Sequence, residues 1–227
     1  MISKSENLAL SVLPAPGDVL GVTLVLCLPI LVLAIRHAPW RRLANPQQLH
    51  VFLGSSVALL VLWSIRTHLG FGIEFHLLGL TTVTLAVGWP LAIIAAGIAQ
   101  LGLMLDGQIS WHIFPIAMLA NVILPAMVTL MTHRLAQRKL PTHFFVYIFV
   151  GAFFGGALAM IMSRFAWVGY ALVKDAASGS AAIASLAYLP LMALPEALLN
   201  GMLVTLLVVY RPQWVATFDD AAYLQGK

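Results

Sequence analysis

The sequence predicts an all-α polytopic membrane helix bundle with about seven transmembrane helices. Composition is the first observation: 61% of the 227 residues are apolar and 9% are charged, whereas a soluble domain carries about 25% charged residues. The second is that apolar residues collect in runs close to the roughly 20 residues needed to cross a bilayer. The third is an unequal distribution of Lys and Arg between loops, which predicts an outer N-terminus and a cytoplasmic C-terminus.

The apolar runs divide the chain into three parts. Residues 1–18 carry mixed charges and two prolines, so we expect an external N-terminal segment and not a secretory signal. Residues 19–212 form a single transmembrane domain, and residues 213–227 form a cytoplasmic tail. The lone Cys27 excludes an intrachain disulfide. In chain order, we expect spans at approximately 19–36, 50–69, 76–88, 90–105, 111–133, 143–170 and 183–210.

The run from residue 76 to residue 105 is interrupted by Gly88-Trp89-Pro90. Two short runs around this break predict a tight helical hairpin, and one kinked helix is the alternative. The hairpin gives seven spans. In this topology eight Lys or Arg residues lie on one side of the membrane and four lie on the other. The larger group, assigned to the cytoplasm by the positive-inside rule, is Arg36, Arg41, Arg42, Arg134, Arg138, Lys139, Arg211 and Lys227; the outer group is Lys4, Arg66, Arg164 and Lys174.

Candidate metal ligands collect at the outer face in this topology. His68, His76 and His112 fall there, and Glu74 lies two residues before His76. Imidazole with carboxylate suits borderline divalent metals such as nickel, cobalt and zinc. The alternative is that these side chains are only solvated or hydrogen-bonded at the outer end of the span, because no tight HxH or HxxH spacing is present. A site of neutral imidazoles would lose metal as pH falls through about 6.5.

Methionines offer a second kind of site. Thioether sulfur with histidine suits Cu(I), although methionine is also ordinary filler of apolar cores. The methionines that project to the outer half or middle of the predicted bundle are Met104, Met118, Met160, Met162 and Met192.

Glu196 is a carboxyl group inside the last predicted span, with Asn200 four residues later. Intramembrane ionisable groups usually face the bundle interior with a partner, and Asn121 and Gln100 are the candidate partners. One reading is a proton or ion relay; the other is a hydrogen-bonded carboxyl that holds helices together. The stretch "GAFFGGALA" at 151–159 allows close helix contact, either inside the subunit or with a partner.

Sequence signatures of common enzymes are absent. The chain contains no GxSxG, HExxH, Walker A or GxGxxG motif. We therefore expect no catalytic activity and no permanently bound cofactor in this chain.

Three blocks of sequence resemble one family of membrane proteins. They are "EFHLLGLTTVTLAVGWPLAIIAAGIAQLGLML", "ANVILPAMV" at 120–128 and "LPEALLNGMLVTLLVVY" at 194–210. Their order and spacing are similar to those of the CbiM/NikM family, the substrate-binding membrane subunits of cobalt and nickel energy-coupling-factor ABC transporters. The resemblance implies seven spans, an outer N-terminus and a bacterial inner or plasma membrane location.

The resemblance also implies a mechanism. Such a subunit captures a divalent metal outside, docks on a transmembrane coupling subunit driven by two cytoplasmic ATPase subunits, and topples to release the ion inside. The family holds metal with the N-terminal amine, a His at position two and a His that corresponds to His76. This chain begins Met1-Ile2-Ser3, so His68, Glu74 or His112 is expected to replace the missing ligand. The alternatives are an importer of another ion such as copper or zinc, or a permease-fold accessory or assembly protein without transport activity.

Overall fold

The computed structural model describes residues 16–68, 74–174 and 176–219. The side chains of residues 16–19, 67–68, 74–75 and 176–177 lie outside the description, as do most of the predicted external segment, Asp175 and the tail from residue 220. The described helices are α1 Pro16–His37, α2 Pro46–Ser64, α3 Leu80–Val87, α4 Trp89–Leu105, α5 Phe114–Lys139, α6 Phe144–Lys174, α7 Ala176–Ser185 and α8 Leu189–Tyr210.

Five stretches in the described part are long and apolar enough to cross a membrane. The chain is therefore a multi-pass membrane protein, and the number of spans and their orientation stay predictions. The five stretches are Leu20–His37, Pro46–Ser64, Phe114–Lys139, Phe144–Lys174 and Ser178–Tyr210, and the shorter apolar helix is Trp89–Leu105.

Helix α2 begins earlier than the sequence pattern predicted. The side chain of Asn45 accepts a hydrogen bond of 2.9 Å from the Gln47 amide, and Pro46 occupies the first helical position. Both features favour a helix start. The helix ends at Ser64 and not at residue 69, because the chain then turns into strand β1, Thr67–His68, which pairs antiparallel with β2, Glu74–Phe75.

Helices α3 and α4 form a hairpin. Gly88 separates them with φ 85° and ψ 154°, a backbone conformation that favours glycine. Gly79, just before α3, lies beside α2, because a Cβ added there would stand 2.8 Å from Leu62. Gly102, near the end of α4, lies beside the same turn of α2, because a Cβ added there would stand 2.8 Å from Leu60. The two helices therefore run in opposite directions, and α3, with eight residues, is about 12 Å long.

Helix α3 occupies the centre of the bundle. All eight of its residues are buried, and it packs against α2, α4, α5, α6 and α8. Its threonines bond inside the protein: Thr81 with Thr129 at 2.9 Å and Thr82 with Asn200 at 2.8 Å. Helix α1 lies at the periphery with many exposed apolar side chains, including Val25 and Leu28, as expected of a lipid-facing helix.

The C-terminal segment packs against the end of α3. Ala216 N–H donates to the Ala86 carbonyl at 2.7 Å, and the Thr217 hydroxyl donates to the Leu85 carbonyl at 2.8 Å. The residue four positions after Ala86 is Pro90, which has no N–H. The Ala216 N–H thus takes the place of the N–H that Pro90 cannot offer to the Ala86 carbonyl.

Candidate functional site

A cavity of about 530 Å³ opens between α5, α6 and α7 at the end of the bundle where α3 begins. We call it the His76 cavity. Its described walls come from Arg66, which lies two residues after the end of α2, from the loop between α4 and α5, from the first turns of α5, from the C-terminal half of α6 and from α7. The polar and aromatic lining includes Arg66, His76, Asn121, Arg164, Trp167 and Lys174.

His76 is held in the short segment between β2 and α3. It is 7% exposed. Arg164 Nη2 stands 3.3 Å from His76 Nε2. A guanidinium has only donors, so Nε2 accepts and the neutral ring carries its proton on Nδ1, which is buried without a hydrogen-bond partner among the described residues.

The charge state of His76 follows from this setting. Burial, followed by the positive charges of Arg164 and Arg66, lowers the pKa of His76 to about 3. The ring is therefore neutral throughout the physiological range. The expected loss of metal as pH falls through about 6.5 does not follow from this ring.

Two side chains from other helices hold the segment that carries His76. Trp63 Nε1 donates to the Leu78 carbonyl at 2.9 Å. Glu196 accepts from the Leu78 amide at 2.7 Å and from the Gly79 amide at 2.8 Å. These contacts satisfy buried backbone groups on both sides of the segment and position His76 from α2 and α8.

Glu196 and Asn200 together cap the N-terminus of α3. Asn200 Oδ1 accepts from the Thr82 amide at 2.8 Å, and Asn200 Nδ2 donates to Glu196 Oε1 at 2.7 Å. Free N–H groups at a helix start normally need such acceptors, and here another helix provides them. Both side chains are fully buried, and their contacts favour the structural role over a relay.

Asn121 is not the partner of Glu196. Its Oδ1 accepts from Ser163 at 3.2 Å and from Trp167 Nε1 at 2.9 Å, at the cavity wall. A π-helical segment of α5, Met118–Ile123, carries it; such segments are frequent at functional sites. Gln100, the other predicted partner, is buried and its side chain bonds no described residue.

The other candidate ligands do not complete a metal shell among the described residues. The backbones of His68 and Glu74 pair across the two short strands, and their side chains lie outside the description. His112 is exposed, contacts Trp111 with the ring centroids 3.6 Å apart and the rings tilted by 32°, and is not among the described residues that line the cavity. Within the described ranges, no three His, Cys, Asp or Glu side chains stand close enough to hold a metal ion.

The five methionines considered for a Cu(I) site do not come together around the cavity. Met118, Met160 and Met192 are buried in the core, and of the five only Met192 belongs to the described cavity lining. Core packing therefore accounts for the others better than a Cu(I) site does.

Sequence reasoning missed the cavity's cations. Arg164 lies inside the predicted span 143–170, and an intramembrane cation is by itself a signal of function. In the predicted topology Arg164 counts only toward the positive charge of the outer side. Trp167, one turn further along α6, was missed because nothing in the sequence pairs it with Asn121.

Comparisons with known proteins agree with this fold. A solved structure of a truncated transition metal transporter matches with a TM-score of 0.65, 16% identity, and coverage of 86% of this chain and 95% of that chain. No curated protein sequence matches. A family model described as the cobalt uptake substrate-specific transmembrane region, CbiM, matches residues 11–214. The resemblance seen in the three sequence blocks is confirmed, and the chain belongs to this family of membrane components for cobalt and transition-metal uptake.

Proposed function

We propose that this chain is the substrate-binding membrane subunit of an energy-coupling-factor-type importer, which captures a divalent transition metal, cobalt or nickel, from the outer face. The observation that carries the proposal is the His76 cavity. It places the residue that the family resemblance marks as a ligand, neutral and buried, beside an opening at the predicted outer end. A neutral imidazole is the form that binds these metals.

The partners are assigned by the same proposal. ATP hydrolysis belongs to two cytoplasmic ATPase subunits, which act through a transmembrane coupling subunit in a bacterial inner or plasma membrane. This assignment rests on the family and on the absence of a nucleotide-binding motif from the sequence. The metal is cargo, and no resident cofactor is assigned. His68 and Glu74 remain candidates to complete the shell around His76, and the exposed position of His112 makes it a weaker one.

Cobalt accumulation by cells tests the capture step. Cells that express the wild-type chain with a coupling subunit and two ATPase subunits are compared with cells that carry His76→Ala or His50→Ala, where His50 is an exposed histidine of α2. His76→Ala should lose most of the accumulated cobalt, and His50→Ala should retain it. Undiminished accumulation in His76→Ala removes His76 from the site, and undiminished accumulation in cells without the chain contradicts the function.

Co-purification tests the assembly. Recovery of one further membrane subunit and two ATPases with the tagged chain is the expected result. Recovery of a different membrane complex without ATPases supports the second candidate, an accessory or assembly protein. The observation that favours this second candidate is that no three His, Cys, Asp or Glu side chains come together among the described residues.

A further inference from the structure

The end of α3 opposite the His76 cavity is covered by the C-terminal segment, residues 212–218. Val215 and Phe218 of this segment are buried in a cluster with Leu85 of α3 and Tyr147 of α6. The Phe218 ring meets the Tyr147 ring edge to face, with the centroids 5.0 Å apart. The segment is therefore packed into the bundle by apolar contacts as well as by hydrogen bonds.

The C-terminal segment supplies donors to the last carbonyls of α3. The carbonyls in the last turn of a helix have no partner within the helix and need donors from elsewhere. Here the Ala86 carbonyl accepts from the Ala216 N–H at 2.7 Å, and the Leu85 carbonyl accepts from the Thr217 hydroxyl at 2.8 Å. Leu85 and Ala86 are both buried. Displacement of the segment would therefore take donors away from two buried carbonyls.

Thr217 also joins α3 to its neighbours. Its hydroxyl has one hydrogen, which goes to the Leu85 carbonyl, so the Tyr147 phenol donates to Thr217 Oγ1 at 2.7 Å. Gln48 Nε2 of α2 donates to the Gln213 carbonyl at 2.9 Å. The C-terminal segment thus bonds to α2, α3 and α6 at one end of the bundle, and its position depends on how these helices are arranged.

Helix α3 connects this end of the bundle to His76. It is about 12 Å long and all eight of its residues are buried, and close-packed interiors transmit displacements to their neighbours. At its other end, Glu196 accepts from the Leu78 and Gly79 amides, which directly precede α3. His76 lies two residues before Leu78. A displacement of α3 therefore changes both the geometry of these bonds and the placement of His76.

We propose that the C-terminal segment controls the affinity of the His76 cavity for cobalt through α3. In its docked position it holds α3 where His76 lines the cavity, and its displacement weakens cobalt binding. This inference rests on the proposed function, because it specifies how the same site is regulated. Coupling between two sites is reciprocal, so bound cobalt holds the segment in place by the same factor. An event at the end opposite the cavity can thereby lower the affinity for the cargo.

Equilibrium binding of cobalt(II) to the purified full chain in detergent tests one direction of the coupling. Bound cobalt is measured by elemental mass spectrometry. Thr217→Val removes the hydroxyl at nearly constant size and should weaken binding at least about fivefold, the lower limit of typical coupling. Thr217→Ser keeps the hydroxyl and should bind like wild type. Thr205→Val is the matched control, because the Thr205 hydroxyl bonds the Gly201 carbonyl of its own helix, and its affinity should be unchanged.

Amide hydrogen exchange of the wild-type chain tests the reverse direction and needs no variant that folds. Saturating cobalt should slow exchange of the Ala216 amide, which bonds the Ala86 carbonyl, at least about fivefold. A segment that only stabilises the fold would open locally at a rate independent of cobalt. The Leu140 amide, which bonds the Ala136 carbonyl at the end of α5, is the control and should exchange equally with and without cobalt.

Three results overturn the inference and leave the proposed function intact. They are wild-type affinity in Thr217→Val, an equal loss of affinity in Thr205→Val, and an Ala216 exchange rate that cobalt does not change. A wild-type chain that binds no cobalt contradicts both the inference and the capture function. Loss of affinity in Thr217→Val alone, together with slowed Ala216 exchange, is the result that the inference predicts.

Discussion

Glu196 accepts three hydrogen bonds in the interior of the bundle, from the Leu78 amide, the Gly79 amide and Asn200 Nδ2. All three partners donate, so the carboxyl group acts only as an acceptor. The residue begins a chain of contacts from α8 to the start of α3 and then to His76. The sequence left two roles open for Glu196, a relay and a structural contact. In the structure Glu196 positions the segment that carries His76.

Glu196→Gln should destabilise the protein, because an amide NH₂ group then faces backbone N–H donors. We expect a loss of about 2–4 kcal/mol in the free energy of unfolding, from the weakened hydrogen bonds and the unsatisfied buried amides. Chemical unfolding in detergent measures the loss. Asp106→Asn, in an exposed turn, is the control. Equal stability of Glu196→Gln and wild type would show that the cap contributes nothing.

The glycines of α6 allow a second residue-scale prediction. A Cβ on Gly156 would stand 2.9 Å from Asn200 Nδ2, whereas a Cβ on Gly169 of the same helix would have nothing within 4 Å. Gly156→Ala should therefore cost about 1–3 kcal/mol through overpacking, and Gly169→Ala should be neutral or stabilise by up to about 1 kcal/mol through helix propensity. Thermal unfolding of both variants in detergent checks the pair. The prediction is wrong if the two variants melt together.

At the scale of elements, the α3–α4 hairpin was predictable and its surroundings were not. Gly88 and Pro90 mark the break in the sequence, and loop charge favours two short helices over one. The π-helical segments Met118–Ile123 and Tyr147–Phe154 have no comparable signal, since an extra residue per turn is selected by packing against neighbours. The placement of Asn121 at the cavity depends on the first of these segments and therefore could not be predicted from the sequence either. The small-residue stretch 151–159 could not be assigned from sequence, and the structure uses Gly155 and Gly156 inside the subunit, against Thr132 and Asn200.

The C-terminal segment supports the hairpin and gives a prediction at this scale. Ala216→Pro removes the N–H that bonds the buried Ala86 carbonyl. An unsatisfied buried carbonyl costs about 1–3 kcal/mol, so the variant should unfold at a lower temperature than wild type. Ala216→Ser keeps the backbone donor and should behave like wild type. If the proline and serine variants have the same unfolding temperature, the contact does not stabilise the hairpin.

Over the whole molecule, the two ends of the bundle differ in charge. Among the described residues, the cavity end carries three Lys or Arg residues, Arg66, Arg164 and Lys174, and the opposite end carries seven: Arg36, Arg41, Arg42, Arg134, Arg138, Lys139 and Arg211. The positive-inside rule assigns the opposite end to the cytoplasm. The sequence predicted this division and the membrane class because both depend on composition. It did not predict that Arg66, Arg164 and Lys174 line the same cavity as His76, because that depends on the tertiary arrangement of the helices.

Labelling of introduced cysteines tests the orientation. In a Cys27→Ser background, Ser110→Cys lies at the cavity end and Thr142→Cys at the opposite end, and both positions are exposed. A membrane-impermeant maleimide should label Ser110→Cys on intact cells and Thr142→Cys only after lysis. The reverse pattern would place the cavity on the cytoplasmic side and contradict capture from outside.

Direct location of the cargo tests the central claim, that the His76 cavity captures a transition metal. The measurement is an anomalous-difference map at the cobalt absorption edge, from crystals of the full chain grown with cobalt. We predict one cobalt peak in the cavity, at about 2.1 Å from an imidazole nitrogen of His76, a distance typical of metal–histidine bonds. A cobalt peak elsewhere with none in the cavity, or no cobalt peak at all, would contradict the claim.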